Sequence, residues 1–315
     1  MLKSATMEIP KARDKKSPPV LLVHHAANRG NYYLPSSLRA FRNCLEFHAQ
    51  MIELDIISLS DGDFALLHNR HLDKVTDGTG EVSAHSSNEI KQLHHVRENN
   101  STADKVSVLS QVVSLIQQQP DLIELQLDLK PYPPLNESIL QNLVKLVLPL
   151  KQRVRVSSPA DWALRRLREI APRLSIGFDP MLYLDTNRGE GHPEETPPFR
   201  VGAYGYQDDH PLSTYKWGSH QEYLISRADI LWSQIPTYNT VWFIRASLLD
   251  HVLNHGFDWI GYLHQKRAKV AAWTLDPDKP HHVELAWRMI NANIDRIVTN
   301  NAPVLAKTLG IPTVL

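Results

Sequence analysis

A (β/α)8 barrel is the fold class this 315-residue sequence predicts. Short apolar runs rich in β-branched residues alternate with helical patterns along most of the chain, as in a parallel sheet with helices packed outside it. Nine such runs stand close to the eight strands that a closed barrel needs. The runner-up, a doubly wound open sheet, lacks support because no GxGxxG or GxxxxGK[ST] stretch is present to bind a nucleotide. Length alone would also allow two domains.

In chain order the strand candidates are PPVLLVHH, MIELDIISL, DFALLH, DLIELQLDLK, RVRVSS, LSIGFDP, DILWSQIP, KVAAWTLD and IDRIVTN. Between them lie LRAFRNCLEFHA, ESILQNLVKLVLPL, ADWALRRLREIA, RASLLDHVLNHG and HHVELAWRMINAN, each with apolar residues at three- and four-residue spacing, the signature of a helix with one buried face. Two segments break the rhythm. Residues 71–106 are polar and read as a small insertion after the third strand, and residues 181–215, rich in Gly, Pro and charge, read as a long loop. Residues 1–18 read as a flexible N-terminal extension ahead of a single barrel domain over 19–315.

The 34 basic and 34 acidic residues cancel, which argues against nucleic acid or an anionic membrane as partner and for a small molecule bound locally. Cys44 is the sole cysteine, so no intrachain disulfide can form and nothing suggests an oxidising compartment. The opening MLKSATMEIPKARDKKSPP has no apolar core of a secretory signal, and no window approaches 18 uninterrupted apolar residues. The expected location is cytoplasmic, with no transmembrane segment.

Strand side chains alternate, so Glu53 and Asp55 share one face of MIELDIISL, as do Glu124, Gln126, Asp128 and Lys130 of ELQLDLK. Charge pointing into a barrel is costly unless paired or bound to a metal, and the C-terminal strand ends form the active-site mouth. Glu53, Asp55 and Asp128 converging there would suit one hard divalent cation, Mg2+ or Ca2+. Lys130 would set a positive charge beside it, where a phosphate could bridge both. His24 and His25 end the first strand and His68 the third, offering a general acid and a general base. Parity lets only one of His24 and His25 face the mouth, and periodicity does not say which. Each feature alone has a plain structural explanation, since strand carboxylates are commonly salt-bridged and some of the 16 histidines will end strands by chance. Their occurrence in order on successive strands is what argues for a site.

The run MIELDIISLSDGDFALLHNRHLDKVTDGTGEV, residues 51–82, resembles the glycerophosphodiester phosphodiesterase family in its ExD, DG, H[DN] and T[DN]GTG elements. LRAF at 38–41, AWTLD at 272–276 and RIVTNNAP at 296–303 resemble further family motifs. The resemblance implies a (β/α)8 TIM barrel in which Glu53, Asp55 and Asp128 are metal ligands, His24 and His68 the acid/base pair, and Lys130 the phosphate-contacting lysine. It also implies that Trp273 packs near the alcohol portion of the substrate. Three departures stand out. HHA replaces the family's HRG, with His25 in the place of the phosphate-binding arginine; LPSS replaces its PENT; and Asp128 stands where Glu is usual. These drift toward the sphingomyelinase D and phospholipase D-like branch, where HHAAN would make Asn28 a substrate contact. The implied activity is metal-dependent hydrolysis of glycerophosphodiesters to an alcohol and sn-glycerol 3-phosphate, in glycerol and lipid metabolism. The alternatives are phosphodiester cleavage of a lysophospholipid and a non-catalytic barrel that binds a phosphoryl ligand.

Overall fold

The structure, a computed structural model, describes residues 19–97, 100–118, 122–130, 132–185 and 219–311. The expected N-terminal extension lies outside the described residues, as does most of the expected 181–215 loop.

The chain begins β1 (Leu21–His24), α1 (Leu38–Glu46), β2 (Met51–Ser58), β3 (Phe64–Ala65). It continues α2 (Ser87–Ile90), β4 (His94–Arg97), β5 (Asn100–Lys105), α3 (Leu109–Ile116), β6 (Glu124–Lys130) and α4 (Glu137–Val147). Then come β7 (Val154–Ser158), α5 (Asp161–Ile170), β8 (Ser175–Phe178), α6 (His220–Gln234) and β9 (Thr240–Arg245). The last part is α7 (Ala246–Asn254), α8 (Trp259–Gln265), β10 (Lys269–Trp273), α9 (Pro280–Asn291), β11 (Arg296–Thr299) and α10 (Ala302–Leu309).

Eight strands run parallel in the order β1, β11, β10, β9, β8, β7, β6, β2, and β1 pairs back onto β2, closing the expected (β/α)8 barrel. Because helices cover the outside, these strands are buried on both faces; all eight residues of β2 are buried. Outward-facing residues pack on the helices in two large clusters, one holding Trp242, Ile244 and Trp259, the other Ile52, Leu54 and Leu127. Inside the barrel a small apolar layer of Val23, Met51, Val241, Phe243, Ala271 and Val298 separates two polar ends. Phe243 fits there because β8 presents Gly177, where an added Cβ would lie 2.5 Å from the Phe243 ring.

At the N-terminal end of the barrel, Glu124 is gripped by Arg155 (Nε and Nη2, both 2.9 Å) and by Arg296. Arg155 Nη1 also donates to the carbonyls of Ile176 and Asn239, each at 2.7 Å. Burial opposes ionisation of Glu124, but Arg296 and Arg155 outweigh it and hold its carboxyl down at about 2.

Two expected strands are corrected. DILWSQ, most of DILWSQIP, belongs to α6, whose buried residues Tyr223, Leu224, Arg227, Ala228 and Leu231 follow a helical face that starts upstream at the Ser219 and Glu222 capping box. The barrel strand there is TVWFIR, β9. DFALLH is strand only at Phe64–Ala65, and it pairs antiparallel on β2 outside the barrel of eight, so His68 does not end a barrel strand. The following insertion carries the β4–β5 hairpin and a small core in which Leu72, Val82 and Ile90 pack with Ile57 and Leu67. Among the described residues, no helix is long and apolar enough to cross a membrane.

Candidate active site

The C-terminal strand ends surround a cavity of ≈ 410 Å3. Glu53 and Asp55 reach it from β2, and Gln126, Asp128 and Lys130 from β6, with Asp55 directly opposite Asp128 and Glu53 opposite Gln126 in the strand register. Ligand oxygens of Glu53, Asp55 and Asp128 lie within 4.8 Å of one another. Lys130 Nζ is 2.9 Å from Asp128 Oδ2 and 3.3 Å from Asp55 Oδ1, and it donates to the Tyr132 hydroxyl at 3.3 Å.

Charge crowding shows in the acidities. Burial and then the Asp55 charge push the Glu53 carboxyl up to about 8, while the backbone N–H of Ala26 donates to Glu53 Oε2 at 2.8 Å. At Asp55 burial opposes ionisation, but Lys130 and His68 outweigh it and the pKa falls. Asp128 is raised, by burial first, because Lys130 does not fully offset it. A buried acidic set of this kind asks for a cation. Gln126 adds a further signal: Nε2 donates to Ser157 Oγ at 3.3 Å, whereas the buried Oε1 has no partner among the described residues. Three carboxylates and an unpaired amide oxygen form an all-oxygen set that fits a hard divalent cation.

Of the adjacent histidines, it is His25 that lines the cavity. Leu21 and Val23 belong to the layer inside the barrel and Leu22 to the outer core, so alternation sends His25 inward and His24 outward. His24 is buried, its Nδ1–H donating to the Asn28 carbonyl at 3.1 Å, and burial pulls its pKa down to about 4. The expected placement of His24 at the cavity is therefore corrected, and His25 stands there instead. Asn28 is corrected as well. Its Oδ1 accepts the backbone N–H groups of Gly30 and Asn31, its Nδ2 donates to Asn31 Oδ1, and it shapes the β1–α1 loop without lining the cavity. The loop leaves β1 through Ala26 (φ 50°) and Ala27 (φ 53°), left-handed positions that glycine occupies at least cost.

His25 is held by a relay that sequence reasoning did not assemble. Asn300 Nδ2 donates to both Asp276 oxygens at 3.1 and 3.2 Å, which turns Asn300 Oδ1 toward His25 Nδ1 at 2.9 Å. An amide oxygen only accepts, so Nδ1 carries the hydrogen and Nε2 faces the carboxylates, 3.8 Å from Glu53 Oε2. Burial works to lower the His25 pKa, but Glu53, the Asn300 bond and Asp55 outweigh it and the pKa rises. Asp276 and Asn300 lie in the AWTLD and RIVTNN motifs. His68 lines the rim from an exposed position, its Nδ1 3.2 Å from Asn69 Oδ1. Trp273 lines the far wall at the end of β10.

The family model described as glycerophosphoryl diester phosphodiesterase matches residues 25–183, just over half the chain, beginning at His25. The chain belongs to that family. Among curated relatives in this phosphodiesterase family, a glycerophosphodiester phosphodiesterase of Caldanaerobacter subterraneus subsp. tengcongensis is 29% identical over 147 residues, 45% of this chain. The match spans 60% of that relative's length. One from Bacillus altitudinis is 26% identical over 180 residues, 53% of this chain and 72% of its own. A solved glycerophosphoryl diester phosphodiesterase structure from Parabacteroides distasonis shares the fold, with a TM-score of 0.62 at 16% identity, over 95% of this chain and 90% of that one. So does an Oleispira antarctica phosphodiesterase solved with the product sn-glycerol-3-phosphate, with a TM-score of 0.61 at 17% identity, over 93% and 97%.

Sequence reasoning also missed Arg245 and Asp179 on the cavity wall. Arg245 ends the strand that was not recognised. Asp179 directly follows β8 within LSIGFDP, and a carboxylate at the C-terminal end of a barrel strand was the available signal.

Proposed function

We propose that this chain is a metal-dependent glycerophosphodiester phosphodiesterase that yields an alcohol and sn-glycerol 3-phosphate. The observation that carries the reading is the convergence of Glu53, Asp55, Asp128, Lys130, His25 and His68 on one cavity. Glu53, Asp55 and Asp128, with Gln126 Oε1 beside them, would hold one cation, Mg2+ or Ca2+. Such a cation supplies Lewis-acid charge at the phosphoryl oxygens. Lys130 adds a fixed positive charge against the anion that grows in the transition state.

His25 and His68 serve as the acid/base pair. With Nδ1–H fixed by Asn300, Nε2 of His25 takes a proton from the attacking hydroxyl or gives one to the departing oxygen, and His68 on the rim takes the opposite part. In a glycerol diester the neighbouring glycerol hydroxyl can be the nucleophile, giving a cyclic phosphate that water then opens with the two roles exchanged. Trp273 offers an apolar face to the alcohol portion. The setting is glycerol and lipid metabolism in the cytoplasm, with a soluble diester as substrate ahead of a lysophospholipid.

The test is release of glycerol 3-phosphate from a panel of glycerophosphodiesters and lysophospholipids, each with EDTA and with added Mg2+ or Ca2+. Metal-dependent release from a soluble diester is expected. Cleavage of lysolipid alone moves the assignment to the lipid-cleaving branch, and metal binding without any turnover moves it to a phosphoryl-binding protein.

A further inference from the structure

Arg245 ends β9, which stands four places from β2 around the eight-stranded ring, so it faces the Glu53 and Asp55 wall across the cavity. Its guanidinium is fixed on two sides. Nε donates to both oxygens of Asp185, each at 3.1 Å, and the planar group lies 4.3 Å from the Trp273 ring centroid. Asp185 is fully buried at 0% exposure, an expensive place for a carboxylate unless a cation must be held there.

What this arrangement leaves over is informative. Arginine has five N–H donors in a rigid fork. At the bottom of the barrel, Arg155 commits Nε, Nη1 and Nη2 to protein oxygens, as a purely structural arginine does. Both oxygens of Asp185 instead share Nε of Arg245, so neither Nη group has a hydrogen-bond partner among the described residues. The side chain is 22% exposed, and it lines the cavity. Lys130, the cavity's other permanent cation, is committed to Asp55 and Asp128. The matched family segment ends at residue 183, before Arg245.

We infer that Arg245 is an oxyanion-binding residue of this cavity, its Nη edge meeting a non-bridging phosphate oxygen of the substrate from the wall opposite Glu53 and Asp55, and that Asp185 is the positioning residue that aims it. The inference rests on the phosphodiesterase reading only for the identity of the full substrate; the ligand chemistry is a phosphate oxyanion. Cation and arginine then hold the phosphoryl group from two sides. Trp273 serves as the platform under the arginine as well as a wall for the alcohol.

The experiment pairs steady-state kinetics on the best diester of the panel with calorimetric binding of inorganic phosphate to the metal-loaded protein. It compares wild type, Arg245→Gln, Arg245→Lys and the double variant Asp185→Asn/Arg245→Gln, which leaves no unpaired buried charge and so keeps the comparison valid if the single variant misfolds. Loss of a charged hydrogen bond predicts a fall of about 10- to 100-fold in kcat/KM and in phosphate affinity for every variant that lacks the guanidinium, at unchanged melting temperature for the double variant. Arg245→Lys restores part of the phosphate affinity. Unchanged phosphate affinity in a folded double variant overturns the inference, as does a wild type that binds no phosphate. A wild type that cleaves no diester yet binds phosphate through Arg245 overturns the functional reading and leaves this one standing.

Discussion

His24 and His25 are neighbours in the chain, yet one is sealed behind the barrel wall against the Asn28 carbonyl and the other faces the carboxylates. Their substitutions should therefore separate. His25→Ala should cut turnover by about 100-fold or more with little change in melting temperature. His24→Ala should lower stability by about 1–3 kcal/mol, from a lost buried hydrogen bond and a small cavity, and leave kcat within a few-fold of wild type. Parallel kcat and thermal-melt measurements decide between this and the reverse assignment.

The Asp276, Asn300 and His25 relay makes a directional prediction about pH. The Asn300 bond raises the His25 pKa, so Asn300→Ala should move the rate-profile limb that reports His25 to lower pH as well as slow the reaction. A variant that slows at every pH without moving that limb would assign Asn300 to folding alone. Asp276→Asn should shift the limb the same way, because it releases the Asn300 amide from its fixed orientation.

Cation loading should release a proton near neutral pH. Without a cation the Glu53 carboxyl sits at about 8 and is mostly protonated at pH 7; a bound cation requires the carboxylate. Calorimetry in buffers of different ionisation enthalpy should show about one proton released per cation at pH 7, falling toward none above pH 9. Glu53→Gln should abolish the release and weaken cation binding. Release that persists in that variant would place the proton elsewhere.

The Arg155, Glu124 and Arg296 cluster should give the protein an acid-labile window. The folded pKa of Glu124, about 2, lies below its ordinary value of 4.5, so its contribution is complete above pH 4.5 and is lost as pH falls through the folded value. Glu124→Gln should cost about 3–5 kcal/mol at pH 7, since it leaves two buried guanidinium groups facing each other. The gap between its melting temperature and that of the wild type should shrink as pH falls from 4.5 toward 2. A gap that does not change with pH would show that the cluster acts by packing.

Much of the site was legible because strand parity is a strict two-residue rule. Glu53 and Asp55, and Gln126, Asp128 and Lys130, point inward as alternation requires. Parity by itself left His24 and His25 open, because choosing between them needs one residue of known facing, and Val23 inside the barrel supplies it. DILWSQIP misled because a short apolar run carries no period of its own. Its stretch DILWSQ is the C-terminal part of a helix whose face begins at Tyr223, and the error displaced β9 and hid Arg245. The relay to Asn300 was out of reach for another reason: His25 and Asn300 are 275 residues apart, and only closure of β1 on β11 makes them neighbours.

Among the described residues the Glu124 cluster stoppers the lower end of the barrel, and the cavity lies at the other end, where the rim carries His25, His68 and Arg245. In the proposed reaction both fragments must leave by the way the substrate came in. The alcohol, held by an apolar face, departs first, and the phosphate-bearing fragment, gripped from two walls, departs last. That last fragment bars the next substrate until it goes. If that reaction holds, a barrel closed at one end would become a queue, throttled by its own accumulating product.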